Sequence, residues 1–192
     1  MGFISGLQEY LDQSYATSVF DEACESKRPW EFLLHGHRII RAEIFKNLVY
    51  DLKIKSHSTE ESVLSKTDVK MFYPLDISEK IRPLIKKDPK VSKLSLEPII
   101  APGLRCHIKN KSLFPLMKER QVVFFTLLEG EVIKGLITGF SRYEIKCSLK
   151  GGLSVSILRH AVYDLRDKKG RSFLKSSQEA RKDWKKSSLY VP

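Results

Sequence analysis

Two imidazoles stand close together in the chain, at His35 and His37, which flank Gly36. Two imidazoles can share a transition metal, but no Cys or carboxylate cluster accompanies them in sequence, and two ligands do not complete a site. They are expected as surface residues of a turn, and no metal or other cofactor is expected. Cys24, Cys106 and Cys147 lie far apart with no Cys-x-x-Cys pair, so they are expected as reduced, packed thiols. Arg159 and His160 are adjacent. A guanidinium can meet a phosphate and an imidazole a base or ribose, whereas a lone histidine at a strand end is usually structural. Lys118-Glu119-Arg120 suits a polyanion or a solvated helix end. The tail, Lys168-Lys-Gly-Arg171 and Arg181-Lys-Asp-Trp184-Lys-Lys186, mixes cations with Phe173 and Trp184. It can contact phosphates and stack a base, or form a short helix that packs Phe173 and Leu174 on the body. There is no Gly-rich phosphate loop, no Gly-x-Ser-x-Gly elbow and no set of nucleophile, base and orienter, so no enzyme is expected.

Charge narrows the class of partner. The chain has 192 residues, 42% hydrophobic and 30% charged, and a net charge of +11. Residues 1–73 carry a net −2, residues 74–103 a net +2 and residues 104–192 a net +11, with nine cations against three acids from Arg166 onward. A basic surface concentrated in one part favours a polyanionic partner, most often nucleic acid, because neutralised phosphates release counterions. No apolar run approaches the roughly 20 residues of a membrane span, so no membrane partner is expected. The opening Met-Gly-Phe-Ile-Ser-Gly lacks the basic and apolar regions of a secretory signal, and a cytoplasmic location is expected.

The elements that must position these groups follow from periodicity. Tyr143, Ile145, Cys147 and Leu149 alternate with Arg142, Glu144, Lys146 and Ser148, a half-buried strand. Val122–Leu128 and Val132–Ile137 flank a Glu129-Gly130 turn, and strands over 153–157 and 161–165 follow the Gly151-Gly152 turn. Upstream, Ile108–Arg120 predicts a short helix that Pro115 limits to one side. The first part repeats this order. A helix over Gly6–Thr17 carries Leu7, Tyr10 and Leu11 on one face, then come a strand over Phe32–Leu34, an alternating run Leu48–Ile54 and an apolar stretch Val63–Tyr73. Between the halves, Pro74, Pro83, Pro89, Pro98 and Pro102 exclude any long helix or central strand. The expected layout is a unit at 1–73, a Pro-rich linker at 74–103, a second unit at 104–165 and a basic tail at 166–192. Each unit is read as a helix plus a five-stranded, strongly bent antiparallel sheet or open barrel, a mostly β fold with short helices. Gly36 to Lys66 spans 30 positions and Gly130 to Arg159 spans 29, which suggests an internal duplication.

The second half carries Leu-Leu-Glu-Gly130, then Gly135-Leu-Ile-Thr-Gly-Phe140-Ser-Arg-Tyr143, then Ile157-Leu-Arg159-His160-Ala161-Val162. Over about residues 108–165 this resembles the bacterial Sm-like RNA chaperone Hfq. In the first half the likeness is thinner: Leu-Gln-Glu-Tyr-Leu at 7–11, Leu-Leu-His-Gly36, Ala42 where the family has its second glycine, and Lys66-Thr67-Asp68-Val69 without the histidine. The chain looks like a tandem Hfq with a divergent first copy. The resemblance implies single-stranded, U-rich RNA as partner, held at Arg159, His160 and Tyr143 around a pore. Tyr143 stacks a base in that reading, and fits the core of an alternating strand equally well. Lys109 stands where the family has a base-contacting glutamine, Lys118 and Arg120 where it has a basic rim, and Lys66 where the first copy keeps the cation. The place of the family's aromatic that binds adenine-rich RNA is occupied by Thr126 in the second copy and by Phe32 in the first. The family closes six units into a ring, so three chains would make a pseudo-hexameric homotrimer. An RNA chaperone and post-transcriptional regulator is therefore expected. Its rivals are an Sm-like structural or protein-interaction module that has lost specific RNA binding, and a DNA-binding nucleoid protein.

Overall fold

The computed structural model describes residues 4–56, 61–99 and 108–174. It is mostly antiparallel β with short helices: one open sheet of eleven strands rather than two separate ones. Helices α1 (Leu7–Ser14) and α2 (Val19–Glu25) precede β1 (Pro29–Leu34), β2 (Ile39–Asn47), β3 (Asp51–Lys55), β4 (Glu61–Ser65) and β5 (Val69–Pro74). A connecting stretch holds α3 (Ser78–Ile81), a two-residue strand β6 (Lys86–Lys87) and α4 (Pro89–Ser92). Then come α5 (Asn110–Lys118), β7 (Val122–Leu127), β8 (Glu131–Phe140), β9 (Glu144–Ser148), β10 (Ser154–Leu158) and β11 (Val162–Asp167). Among the described residues, no helix is long and apolar enough to cross a membrane.

The strand order is β11-β7-β8-β9-β10-β5-β1-β2-β3-β4, with β6 pairing β8. Five strands are thus laid out twice in the same order, and the last-placed strand of one series meets the first-placed strand of the other. That junction is short, Ser156 opposite Phe72 and Ile157 opposite Met71. The spacing repeats as well: Pro29 and Val122, Asp51 and Glu144, Glu61 and Ser154, Val69 and Val162 each start corresponding strands 93 positions apart, while Ile39 of β2 and Glu131 of β8 are 92 apart. Trp30 opposite Ala42 and Val123 opposite Gly135 keep the same spacing, which places Ala42 where the second series has Gly135.

Lying mid-sheet changes what a strand looks like. All six residues of β5 are buried, because Met71 and Tyr73 join the apolar cluster of the second series while Phe72 joins that of the first. Edge-ward strands keep the alternation read from sequence, as in β7, where Val123, Phe125 and Leu127 are buried and the residues between them half-buried.

The helices are less legible. The helix expected over Gly6–Thr17 forms, but Leu7, Tyr10 and Leu11 pack against the cluster of Phe114, Phe125 and Phe140 in the second series. The first series is covered instead by α2, capped by the Ser18 side chain accepting from Phe20 N–H. Phe20 stacks on Phe72 with ring centres 4.6 Å apart, and its full burial contributes about 2–3 kcal/mol of transfer free energy. Pro115 does not stop α5, which runs through it with Leu113, Phe114 and Leu116 buried; their packing offsets one lost backbone hydrogen bond. Val63–Tyr73 is divided into β4 and β5 by a turn at Lys66–Asp68, and the run Leu48–Ile54 becomes a turn at 48–50 followed by β3. The Pro-rich stretch is held on the second series: β6 pairs with Glu131 and Val132, Asp88 N–H donates to Gly130 O and Ser92 Oγ to Glu129 O.

Candidate nucleic-acid interface

The turn between β8 and β9 is closed by Ser141 N–H donating to Glu144 O, and its outer end is tied to the next segment by Arg159 N–H donating to Tyr143 O at 2.8 Å. This geometry turns Tyr143 outward, 57% exposed, and decides between the two sequence readings of that side chain: it is not in the core. The Arg142 guanidinium lies 5.5 Å from its ring centre, so a flat aromatic face stands beside a cation. The same construction recurs 93 residues earlier. Leu48 N–H donates to Asp51 O, Lys66 N–H donates to Tyr50 O at 3.0 Å, and Tyr50 is 78% exposed. Alternation alone places Tyr50 inside a strand; the 93-residue spacing to Tyr143, shared with the strand starts, is the signal that marks it as the counterpart.

The cations at these turns are not equally available. Arg159 is only 3% exposed. Its Nη1 donates to Asn110 Oδ1 at 2.9 Å and Ile108 O at 3.3 Å, and its guanidinium lies 5.3 Å from the Phe140 ring centre and 6.0 Å from that of Tyr15. Burial pulls Arg159 below the usual guanidinium range, against the opposing pull of Tyr15, Tyr10 and Glu144. His160 is buried as well. Both were expected on an open face. They are buried instead, and Arg159 is closed over by Tyr15, between α1 and α2, and by the start of α5. Beside Arg159, burial raises the Glu144 carboxyl despite hydrogen bonds from Ser141 and Ser18. Lys66 donates to Leu48 O and Val49 O and lies over Phe20, and burial lowers its ammonium from the usual range. Lys109 is exposed at the start of α5, next to the Asn110 that holds Arg159. The open groups around buried Arg159 are therefore Tyr143, Arg142 and Lys109.

Lys118 and Arg120 are exposed at the end of α5, with Lys118 Nζ 5.5 Å from the Phe114 ring centre. They are not an isolated triplet. Arg120 shares an open cleft with Lys168, Lys169 and Arg171, which the turn after β11 brings back against Glu119, Gln121 and Asp167. Asp167 organises that turn by accepting from the N–H groups of Lys169 and Arg171. Phe32, one candidate for an adenine platform, is fully buried against Phe72; Thr126 is half-buried on β7. Phe173 and Leu174 pack on the second series, while Cys106, Trp184 and the cations from Lys175 onward lie outside the described residues.

The sheet ends differ. Beyond β4 no further strand pairs among the described residues, and Val63 there is 65% exposed. Along β11 the chain folds back: Phe173 N–H donates to Leu165 O, and Arg166 bridges to Ser172.

At the junction of the series, the β1–β2 and β7–β8 turns meet. Gly36 N–H and His37 N–H donate to Glu129 at 2.5 and 3.2 Å, and the buried Lys70 ammonium contacts both Glu129 and Glu131. Burial raises the Glu129 carboxyl, but Lys70 and the two N–H groups outweigh it and hold it at about 2. His35, expected at the surface, is 4% exposed, and burial lowers its imidazole against the pull of Glu129.

Comparison of the chain with protein-family models, with curated proteins and with solved structures found no match.

Proposed function

We propose that the chain is a two-unit Sm-like protein that binds single-stranded, U-rich RNA and acts as an RNA chaperone in post-transcriptional regulation in the cytoplasm. One observation carries this reading: an exposed tyrosine recurs at the same turn of both series, each tied by a backbone hydrogen bond to a basic residue, Lys66 or Arg159. Aromatic faces beside cations are what sequence-tolerant single-strand binding needs, because every base offers a face to stack and every nucleotide a phosphate. Tyr143, Tyr50, Arg142 and Lys109 make the direct contacts in this proposal. Arg159 and His160 act beneath them, as positioning residues. Lys118, Arg120 and the cations at 168–171 form a rim for the phosphate backbone.

The strand order supports a ring. Within one chain β10 already pairs with β5, and the same pairing repeated between β4 of one chain and β11 of the next would close three chains into a pseudo-hexamer. Closure requires residues 171–174 to yield the edge of β11. A single-chain mass by light scattering in RNA-free buffer would count against the ring.

The RNA reading is tested by fluorescence anisotropy with a U-rich oligonucleotide. Stacking is worth about 1–3 kcal/mol per base, so Tyr143→Ala and Tyr50→Ala are each expected to weaken binding about 5- to 150-fold, and affinity falls steeply with salt. Unchanged affinity in the folded double variant refutes it. The burial of Arg159 and His160 favours a second reading, an Sm-like protein-interaction module. Purification separates the two: nuclease-sensitive material of high 260 to 280 nm absorbance ratio supports RNA, and nuclease-resistant capture of one protein supports the module.

A further inference from the structure

Glu129 and Glu131 belong to the second series and His35 and His37 to the first, yet their polar atoms converge. His37 Nδ1 lies 3.2 Å from Glu129 Oε2 and 3.8 Å from Glu131 Oε1. Two ligands of one tetrahedral ion with bonds of about 2.0–2.1 Å stand about 3.3 Å apart, so these are the separations of atoms sharing a metal. The three residues form the one group of this kind among the described residues. Two independent features point to an unfilled coordination demand. His35, 96% buried, has no hydrogen bond to either ring nitrogen, and its Nδ1 faces Glu129 Oε1 at 3.7 Å. Glu131 Oε2 is also buried without a hydrogen-bond partner. The charges do not balance either: two carboxylates face one ammonium, Lys70, with little solvent access.

We propose that this junction binds one divalent transition-metal ion of the zinc class, with His37 Nδ1, Glu129 and Glu131 as ligands and His35 able to supply a fourth. Mixed imidazole and carboxylate donors suit zinc better than calcium or magnesium, which take oxygen ligands alone. Lys70 is the resident cation of the metal-free protein and competes for the same carboxylates. Because the ligands come from both series, metal binding adds a clamp at a junction where β10 and β5 pair through only two facing residue pairs. The site lies outside the proposed RNA face, and the proposal does not depend on RNA binding.

The test is zinc titration of the full chain against a chromophoric chelator, with thermal unfolding in parallel. The expected result is one zinc per chain at micromolar or tighter affinity, a raised Tm, at least tenfold weaker binding in His37→Ala and Glu131→Gln, and tighter binding in Lys70→Met. His37 is 57% exposed, so its replacement leaves the core intact. Absence of micromolar zinc binding by the wild-type chain would overturn the proposal. So would unchanged affinity in folded His37→Ala, because it would put the ion elsewhere.

Discussion

Gly135 and Gly139 lie four residues apart on β8 and make a matched pair for substitution. A Cβ on Gly135 would overlap Cys147 Sγ and stand 2.6 Å from Ser148 O. That oxygen belongs to the backbone of β9, whose Ser148 faces Leu136, so it cannot retreat without pulling at the ladder. A Cβ on Gly139 would meet nothing nearer than Tyr10 Oη at 3.6 Å and Lys146 Cδ at 3.9 Å, ordinary van der Waals contact. Gly135→Ala is therefore expected to cost about 1–3 kcal/mol through forced backbone movement. Gly139→Ala restricts only the unfolded chain and is expected to stabilise by about 0.4–1 kcal/mol. With a urea m-value of about 2 kcal/mol per M, the first variant should unfold about 0.5–1.5 M earlier than wild type, and the second slightly later. Urea titration followed by tyrosine and tryptophan fluorescence reads both midpoints. Equal midpoints for the two variants would show that the close approach of β8 and β9 at Gly135 is wrong. Ala42, 93 positions earlier, already carries the methyl group, so the first series has made room for it.

Two further outcomes test the packing. Tyr10 Oη donates to Phe140 O at 2.8 Å and accepts from Phe140 N–H at 2.6 Å, so Tyr10→Phe should cost about 1–3 kcal/mol in denaturant unfolding; no loss would mean that α1 does not dock on the second series. Burial raises the Glu31 carboxyl, but Arg82, Arg41 and Tyr73 outweigh it and hold it below the ordinary range, so its contribution is complete above about pH 4.5 and disappears as pH falls through the folded value. Glu31→Gln should cost about 3 kcal/mol at pH 7 and flatten the loss of stability between pH 5 and 3; identical pH slopes for variant and wild type in urea unfolding would contradict the buried network.

Much of the β structure is legible in local pattern. The alternation Tyr143 to Leu149 sets a strand because side chains on a pleated backbone point to opposite faces with period two, and β9 lies within that run. The identity of the cations was equally plain, but their exposure was not. Arg159 and Lys109 are both basic residues next to short elements. The convergence of Tyr15, Phe140 and the start of α5, segments distant along the chain, makes Arg159 a buried post, while Lys109 stays exposed.

The amino-acid sequence by itself determined the mostly β class, the two-fold repetition and the basic second half, because composition, periodicity and turn residues act over a few neighbours. Tertiary structure alone decided that α1 serves the second series, that Lys168, Lys169 and Arg171 join Arg120, and that two histidines meet two glutamates. Each of these is a contact between segments distant along the chain. Such contacts are selected by the summed burial and hydrogen bonding of the whole sheet, which no local pattern encodes.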